Sequence, residues 1–176
     1  VVSPIISGSR NHASLIPGPR LDKFAGQAAV STRIPEMPMF TLPDHHLVTL
    51  RGRDAAAFAQ AQFMSAVAAL ADGDWQWSGW LMPKGRVIAL FALLKADAET
   101  IVLVLHDADP AQFAAQLQRF VFRSKLAIET GGMEVGGTFE AHPAASGAHA
   151  AMAPDGFAFD FGGDGGARTL WAGPGL

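Results

Sequence analysis

Lys84 and Arg86 flank Gly85 within a few residues of Trp75, Trp77 and Trp80, three of the chain's four tryptophans. Flat aromatic surface beside positive charge suits a planar anionic ligand. The plainer alternative is packing for the strand tryptophans and solvation for the turn cations. A second set of cations, Arg119, Arg123 and Lys125, follows an apolar segment. Arg119 and Arg123, at i and i+4, either complement a helix C-terminus or form an anion clamp facing the first pair. Gln60 and Gln62 lie two positions apart on a helical segment and point about 200° away from each other, so they cannot grip one ligand together.

Other chemistries lack support. Ser65, Ser78 and Ser124 have no strand-to-helix elbow around them. His45 and His46 are adjacent and would face opposite ways on a strand, and His12, His106, His142 and His149 show no ligand spacing. With no cysteine, disulfides, thiolate catalysis and cysteine-ligated metal are excluded from this chain. The G-G-D-G-G-A-R stretch (162–168) lacks the strand and helix context of a phosphate-binding loop. Residues 75–95 contain no carboxylate at all.

The elements that position these residues follow from local pattern. Residues 75–82 alternate, with Trp75, Trp77 and Gly79 on one strand face and Gln76, Ser78 and Trp80 on the other. Pro83, Lys84 and Gly85 supply turn chemistry, and V-I-A-L-F-A-L-L (87–94) returns as a second strand, so the segment reads as an antiparallel hairpin. Upstream, Leu47–Leu50 reads as a short strand. Asp54 is an expected N-cap of a helix whose buried stripe is Ala59, Phe63, Val67 and Leu70, closed by Gly73. Thr100–Leu105 reads as a strand buried on both faces. Asp109-Pro110 starts a second helix with Phe113, Leu117 and Phe120 inward, and Leu126–Glu129 resumes a strand. The sequence beyond Gly131 is glycine-rich, with short strands at 156–161 and 169–171. The order β-α-β-β-β-α-β then β-β gives an α+β class: antiparallel sheet with helices packed on one side.

Length and composition agree. A 176-residue chain with 49% hydrophobic residues allows one sizeable domain, or one domain plus a fragment of another, and a net charge of −3 offers no general polyanion-binding surface. No apolar run reaches the roughly 18 residues of a membrane span, and no secretory signal pattern opens the chain. A soluble, cytoplasmic monomer with no membrane partner is the expectation. Residues 1–38, rich in proline, read as an irregular leader or linker, 39–130 as the main α+β domain, and 131–176 as the start of a further strand-rich segment. The ending W-A-G-P-G-L stops mid-fold, so a fragment of a longer protein is expected.

L-R-G-R-D-A-A-A-F-A-Q-A-Q-F (50–63), W-S-G-W-L-M-P-K-G-R-V (77–87) and R-F-V-F-R-S-K-L-A-I (119–128), in that order, resemble the N-terminal part of the YgfZ-type folate-binding proteins. These are relatives of the glycine-cleavage T-protein, an aminomethyltransferase, and the resemblance covers roughly residues 40–130. It implies a three-domain α+β fold around a tetrahydrofolate pocket, incomplete in this chain. It also implies a role in iron–sulfur cluster assembly or repair and in tRNA modification, with tRNA or iron–sulfur proteins as partners.

In the T-protein branch an aspartate pair follows the hairpin tip, and the matching positions here are Ala89 and Leu90. Neither can relay a proton or stabilise a cationic iminium, so the resemblance favours folate binding over aminomethyl transfer. The K-G-C-Y-x-G-Q-E signature of the YgfZ branch does not occur in this sequence. Carried onto this chain, the resemblance makes His45, Trp77 and Trp80 stacking candidates for the folate rings and Gln62 a hydrogen-bonding candidate for the pterin edge. Lys84, Arg86, Arg119 and Arg123 become candidates for glutamate carboxylates or RNA phosphate. It implies no catalytic residue and no metal ligand.

Overall fold

The computed structural model describes residues 38–174, all within the compact unit spanning 34–176. The leader expected over 1–38 therefore lies outside the described residues except for its last position. The chain runs β1 (Phe40–Thr41), β2 (His45–Arg51), α1 (Ala55–Gln62), β3 (Trp75–Leu81), β4 (Val87–Asp97), β5 (Thr100–His106) and α2 (Pro110–Gln118). It continues through β6 (Ala127–Thr130), β7 (Glu134–Thr138), β8 (Ala151–Ala153), β9 (Gly156–Asp160) and β10 (Thr169–Gly173).

Two antiparallel sheets result, one in the order β3-β4-β5-β2-β6 and the other β1-β7-β10-β9-β8. Strand β5 and residues 91–94 of β4 carry continuous apolar runs because both faces of the first sheet are covered there. Phe91, Leu93, Ile101, Leu103 and Leu105 pack with Phe58 and Ala59 of α1 and Phe113 and Leu117 of α2. Ala92, Leu94, Val102 and Val104 alternate to the other face and pack with Val135, Phe157, Phe159 and Leu170 of the second sheet. The strands after residue 131 thus share a core with the first sheet. Among the described residues, no helix is long and apolar enough to cross a membrane.

The hairpin forms as its turn residues dictate. The Met82 N–H donates to Arg86 O at 2.7 Å, and the Gly85 N–H to Met82 O at 2.8 Å. Gly85 adopts φ 78°, a region open to glycine at little steric cost. The second helix starts as expected, with an Asp109 carboxylate oxygen accepting from the Gln112 N–H at 2.7 Å and Pro110 in its first turn.

The first helix is shorter than its apolar stripe predicts. It ends at Gln62; Phe63 is extended and bridges to Trp80, and the Met64 N–H donates to Gly79 O at 3.1 Å. The chain leaves the helix to satisfy the outer edge of β3, an edge strand that would otherwise present unpaired backbone groups. Val67 is still buried, through a 3-10 turn at Val67–Ala69 rather than a continuing helix. Asp54 precedes α1 but makes no side-chain cap; its carboxylate accepts from the Lys125 N–H at 2.7 Å, tying the helix entrance to the approach of β6.

Strand β7 escaped the sequence pattern because Gly136 and Gly137 have low strand propensity. Gly137 is demanded by packing: a Cβ there would sit 3.0 Å from the Phe40 ring on the adjoining strand β1.

Candidate functional site

The two faces of β3 meet different fates. Trp80 faces the helices, 4% exposed, with its ring centroid 5.3 Å from Phe113 and 5.8 Å from Phe120. Trp75 and Trp77 face the second sheet. Trp75 is covered, 6% exposed and stacked 4.8 Å from Phe159, and its indole N–H donates to Gly147 O at 2.9 Å. Trp77, two residues on, is 54% exposed. Beyond it the sheet face stays apolar and open: Leu90 and Met64, both exposed, lean over Gly79, where a Cβ would lie 3.0 Å and 3.2 Å from their side-chain termini.

Trp77 is held by rings on either side. Its centroid lies 5.1 Å from Phe161, 5.1 Å from His106 and 5.9 Å from Trp75. Such neighbours fix the indole while leaving half of it available, which suits a stacking platform.

His106 stands directly opposite His45 in the β2–β5 register, and His106 Nδ1 lies 2.8 Å from His45 Nε2. Burial lowers the pKa of both rings, most strongly through desolvation. For His45, Asp107 and Asp44 oppose that shift and His46 adds to it; for His106, His45 adds and Asp107 opposes. The pair is therefore neutral at pH 7, and one proton occupies the shared bond. The two outer nitrogens then carry opposite roles, one N–H and one lone pair, and a change at one end reverses the other. Both, His45 Nδ1 and His106 Nε2, are buried without a hydrogen-bond partner. Asp107, at φ 58°, donates its N–H to Asp44 O at 3.1 Å, which ties together the strand ends that present the pair.

Beside His45 lies a cleft of about 140 Å³, walled by Phe40, Leu42, Phe139, Phe161 and Leu170, with Thr138 and Arg168 also on its lining. A second hollow of about 220 Å³ lies on the helix side of the sheet, lined by Ala89, Asp107, Asp109, Gln112 and Phe113 among others.

The expected site residues fall into separate places. His45 and Trp77 are brought together through His106. Trp80 requires correction: it is core, shut between the sheet and α2, and presents no face to a ligand. A ring stacked on Trp77 cannot also meet Trp80, because the sheet lies between them. Lys84 and Arg86 are exposed at the hairpin turn, and about 13 Å of strand separates Trp77 from Leu81, where β3 ends. Gln62 is the last residue of α1 and half-buried. Arg119 caps α2 and Arg123 lies beyond it, both exposed, so the helical i, i+4 relation expected of them does not exist.

The sequence pattern missed His106, Phe161, Thr138 and Arg168. The alternation of G-F-A-F-D-F marked the strand that leads to Phe161 but not its ring, and His106 becomes significant only once β2 and β5 are in register. Among the described residues, no cluster of three or more His, Asp or Glu side chains can hold a metal ion.

No protein-family model matches the chain, and no curated protein matches it. Among solved structures, the glycine cleavage system aminomethyltransferase T from Bartonella henselae has a similar fold, with a TM-score of 0.69 at 15% identity. The likeness covers 77% of this chain and 41% of that one, so this chain spans less than half the length of the protein it matches. The fold is T-protein-like.

Proposed function

We propose that this chain binds tetrahydrofolate with a ring of the ligand stacked on Trp77, and that it does so without transferring an aminomethyl group. The observation that carries the proposal is the half-exposed Trp77, braced by His106 and Phe161 on an open sheet face of a T-protein-like fold. A face-on ring there gains roughly 0.5–1.5 kcal/mol beyond area burial. The resemblance to YgfZ-type proteins supplies the identity of the ligand. Lys84 and Arg86 are the cations on the same hairpin and are assigned to glutamate carboxylates, at no more than about 1 kcal/mol each because they are exposed.

Transfer chemistry is disfavoured by what occupies the hairpin's second strand. Ala89 is buried against the helices and Leu90 is exposed beside Trp77's face, and neither side chain can carry a proton. The role proposed with this binding is that of an accessory factor in iron–sulfur cluster assembly or repair and tRNA modification in the cytoplasm.

Calorimetric titration with tetrahydrofolate tests this directly. Saturable binding that is lost in Trp77→Ala, with no folate-dependent aminomethyl turnover, is the expected result. Turnover by the wild-type protein would favour the transferase alternative. Absence of binding would reduce the chain to a partner-binding domain.

A further inference from the structure

Residues 119–126, between α2 and β6, set positive charge beside apolar surface that the fold does not use. Phe122 is 86% exposed, more than any other large apolar side chain among the described residues. Its neighbours turn toward the protein: the Phe120 ring lies 5.8 Å from Trp80, and Val121 packs against the helix-side core. Arg119, Arg123 and Lys125 are exposed, and among the described residues no carboxylate forms an ion pair with them. Residues 110–128 contain no Asp or Glu, although the whole chain carries a net charge of −3. Complementing the helix end accounts for Arg119, which caps α2, but not for Arg123 and Lys125 beyond it.

The loop is fixed at both ends. The Phe120 N–H donates to Leu117 O at 3.0 Å, the Val121 N–H to Gln118 O at 3.1 Å and the Phe122 N–H to Phe120 O at 3.0 Å. At the far end the Lys125 N–H donates to the Asp54 carboxylate at 2.7 Å, and Gly52 lies against Lys125 O with no room for a side chain. Arg53, 3.8 Å from the same Asp54 carboxylate, offsets its charge. The Phe122 ring therefore stands out from a backbone that needs little further ordering on binding.

We infer that this loop docks on an anionic lipid surface, with the Phe122 ring entering between headgroups and Arg119, Arg123 and Lys125 meeting the headgroup phosphates. Contact of this kind needs no membrane-spanning segment, so it replaces the expectation of no membrane partner without requiring one. Single-stranded nucleic acid would call for a basic groove with successive rings to stack on. Here one ring protrudes alone among cations, and the next aromatic side chain, Phe120, leans on Trp80. That shape suits a soft surface that closes around the ring. Each cation near an anionic leaflet strengthens partition about fivefold, so three of them make the contact reversible and sensitive to salt.

Co-sedimentation of the full chain with vesicles tests this, using phosphatidylcholine with about one-third phosphatidylglycerol against phosphatidylcholine alone. Binding to the anionic vesicles only, released by added salt, is expected. Phe122→Ser should weaken it about tenfold through loss of the inserted ring, and Arg123→Gln about fivefold. Phe122→Trp, which keeps an aromatic ring suited to the interface, should retain it. An unchanged backbone amide spectrum verifies that each variant is folded. Equal binding to neutral vesicles, no binding to either kind, or no effect of Phe122→Ser would overturn the inference. So would tighter binding to a single-stranded RNA oligonucleotide that the same substitutions weaken. Trp77→Ala should leave vesicle binding within about twofold while abolishing tetrahydrofolate binding, so this contact and the folate site fail separately.

Discussion

Trp77 and Trp80 lie three residues apart on one strand and should respond to truncation in opposite ways. Trp80→Ala empties a site enclosed by Phe113 and Phe120, where the indole is 4% exposed. Removal of a buried tryptophan costs about 3–5 kcal/mol through lost transfer energy and the cavity left behind. Trp77 is 54% exposed, so truncation returns only about half of a roughly 200 Å² side chain to water. At about 25 cal/mol per Å² that is at most about 2.5 kcal/mol, and less once a compact unfolded state is considered. With a urea m-value of about 2 kcal/mol/M, the midpoint should fall by about 2 M for Trp80→Ala and by about 1 M or less for Trp77→Ala. Chemical denaturation followed by circular dichroism gives both numbers without relying on tryptophan fluorescence. A Trp77→Ala loss equal to that of Trp80→Ala would refute the assignment of Trp77 to an open face. A Trp80→Ala loss below about 1 kcal/mol would refute the core assignment.

Three further outcomes follow from the same geometry. Burial lowers the pKa of His45, His106 and His142 below 6.5, so as pH falls through 6.5 the unfolded chain takes up protons before the folded one. Stability is then greatest above that pH and declines below it; urea midpoints from about pH 8 to about pH 5 should show the decline, shallower in His106→Gln, and a rise on acidification would contradict the assignment. Asp109→Ala removes the cap on the Gln112 N–H and should cost about 1 kcal/mol by thermal unfolding, whereas Asp109→Asn should cost less. Gly156→Ala would place a Cβ 2.2 Å from Ala172 O, so β9 must shift against β10; a loss of about 1–3 kcal/mol in denaturant is expected, and a neutral result would show that the strands yield freely.

What the sequence revealed was mostly local. The hairpin, the strand at Thr100–His106 and the start of α2 at Asp109-Pro110 are decided by neighbours within a few residues, and they form where the pattern puts them. The alternation of β3 placed Trp77 and Trp80 on opposite faces. It contained nothing about which face is covered, because Trp80's cover comes from α2 and Trp75's from Phe159, both far along the chain. The first helix was overextended for a related reason: the apolar stripe through Val67 is real, but the unpaired edge of β3 draws Phe63 and Met64 into strand-like bonding. The His45–His106 pair is a matter of register between strands separated by a helix and a hairpin. Thr138 and Arg168 join it only because the second sheet packs beside the first. A site assembled from strand ends leaves little periodic signal.

The central claim is that Trp77 is the ring a ligand meets. Indole N–H resonances of the four tryptophans resolve it during a titration with tetrahydrofolate. The account predicts a saturable shift of the Trp77 signal, a smaller one for Trp75, whose ring lies 5.9 Å away, and none for Trp80 or Trp171. A titration that moves Trp80 or Trp171 while Trp77 stays fixed, or that moves none of them, would contradict it.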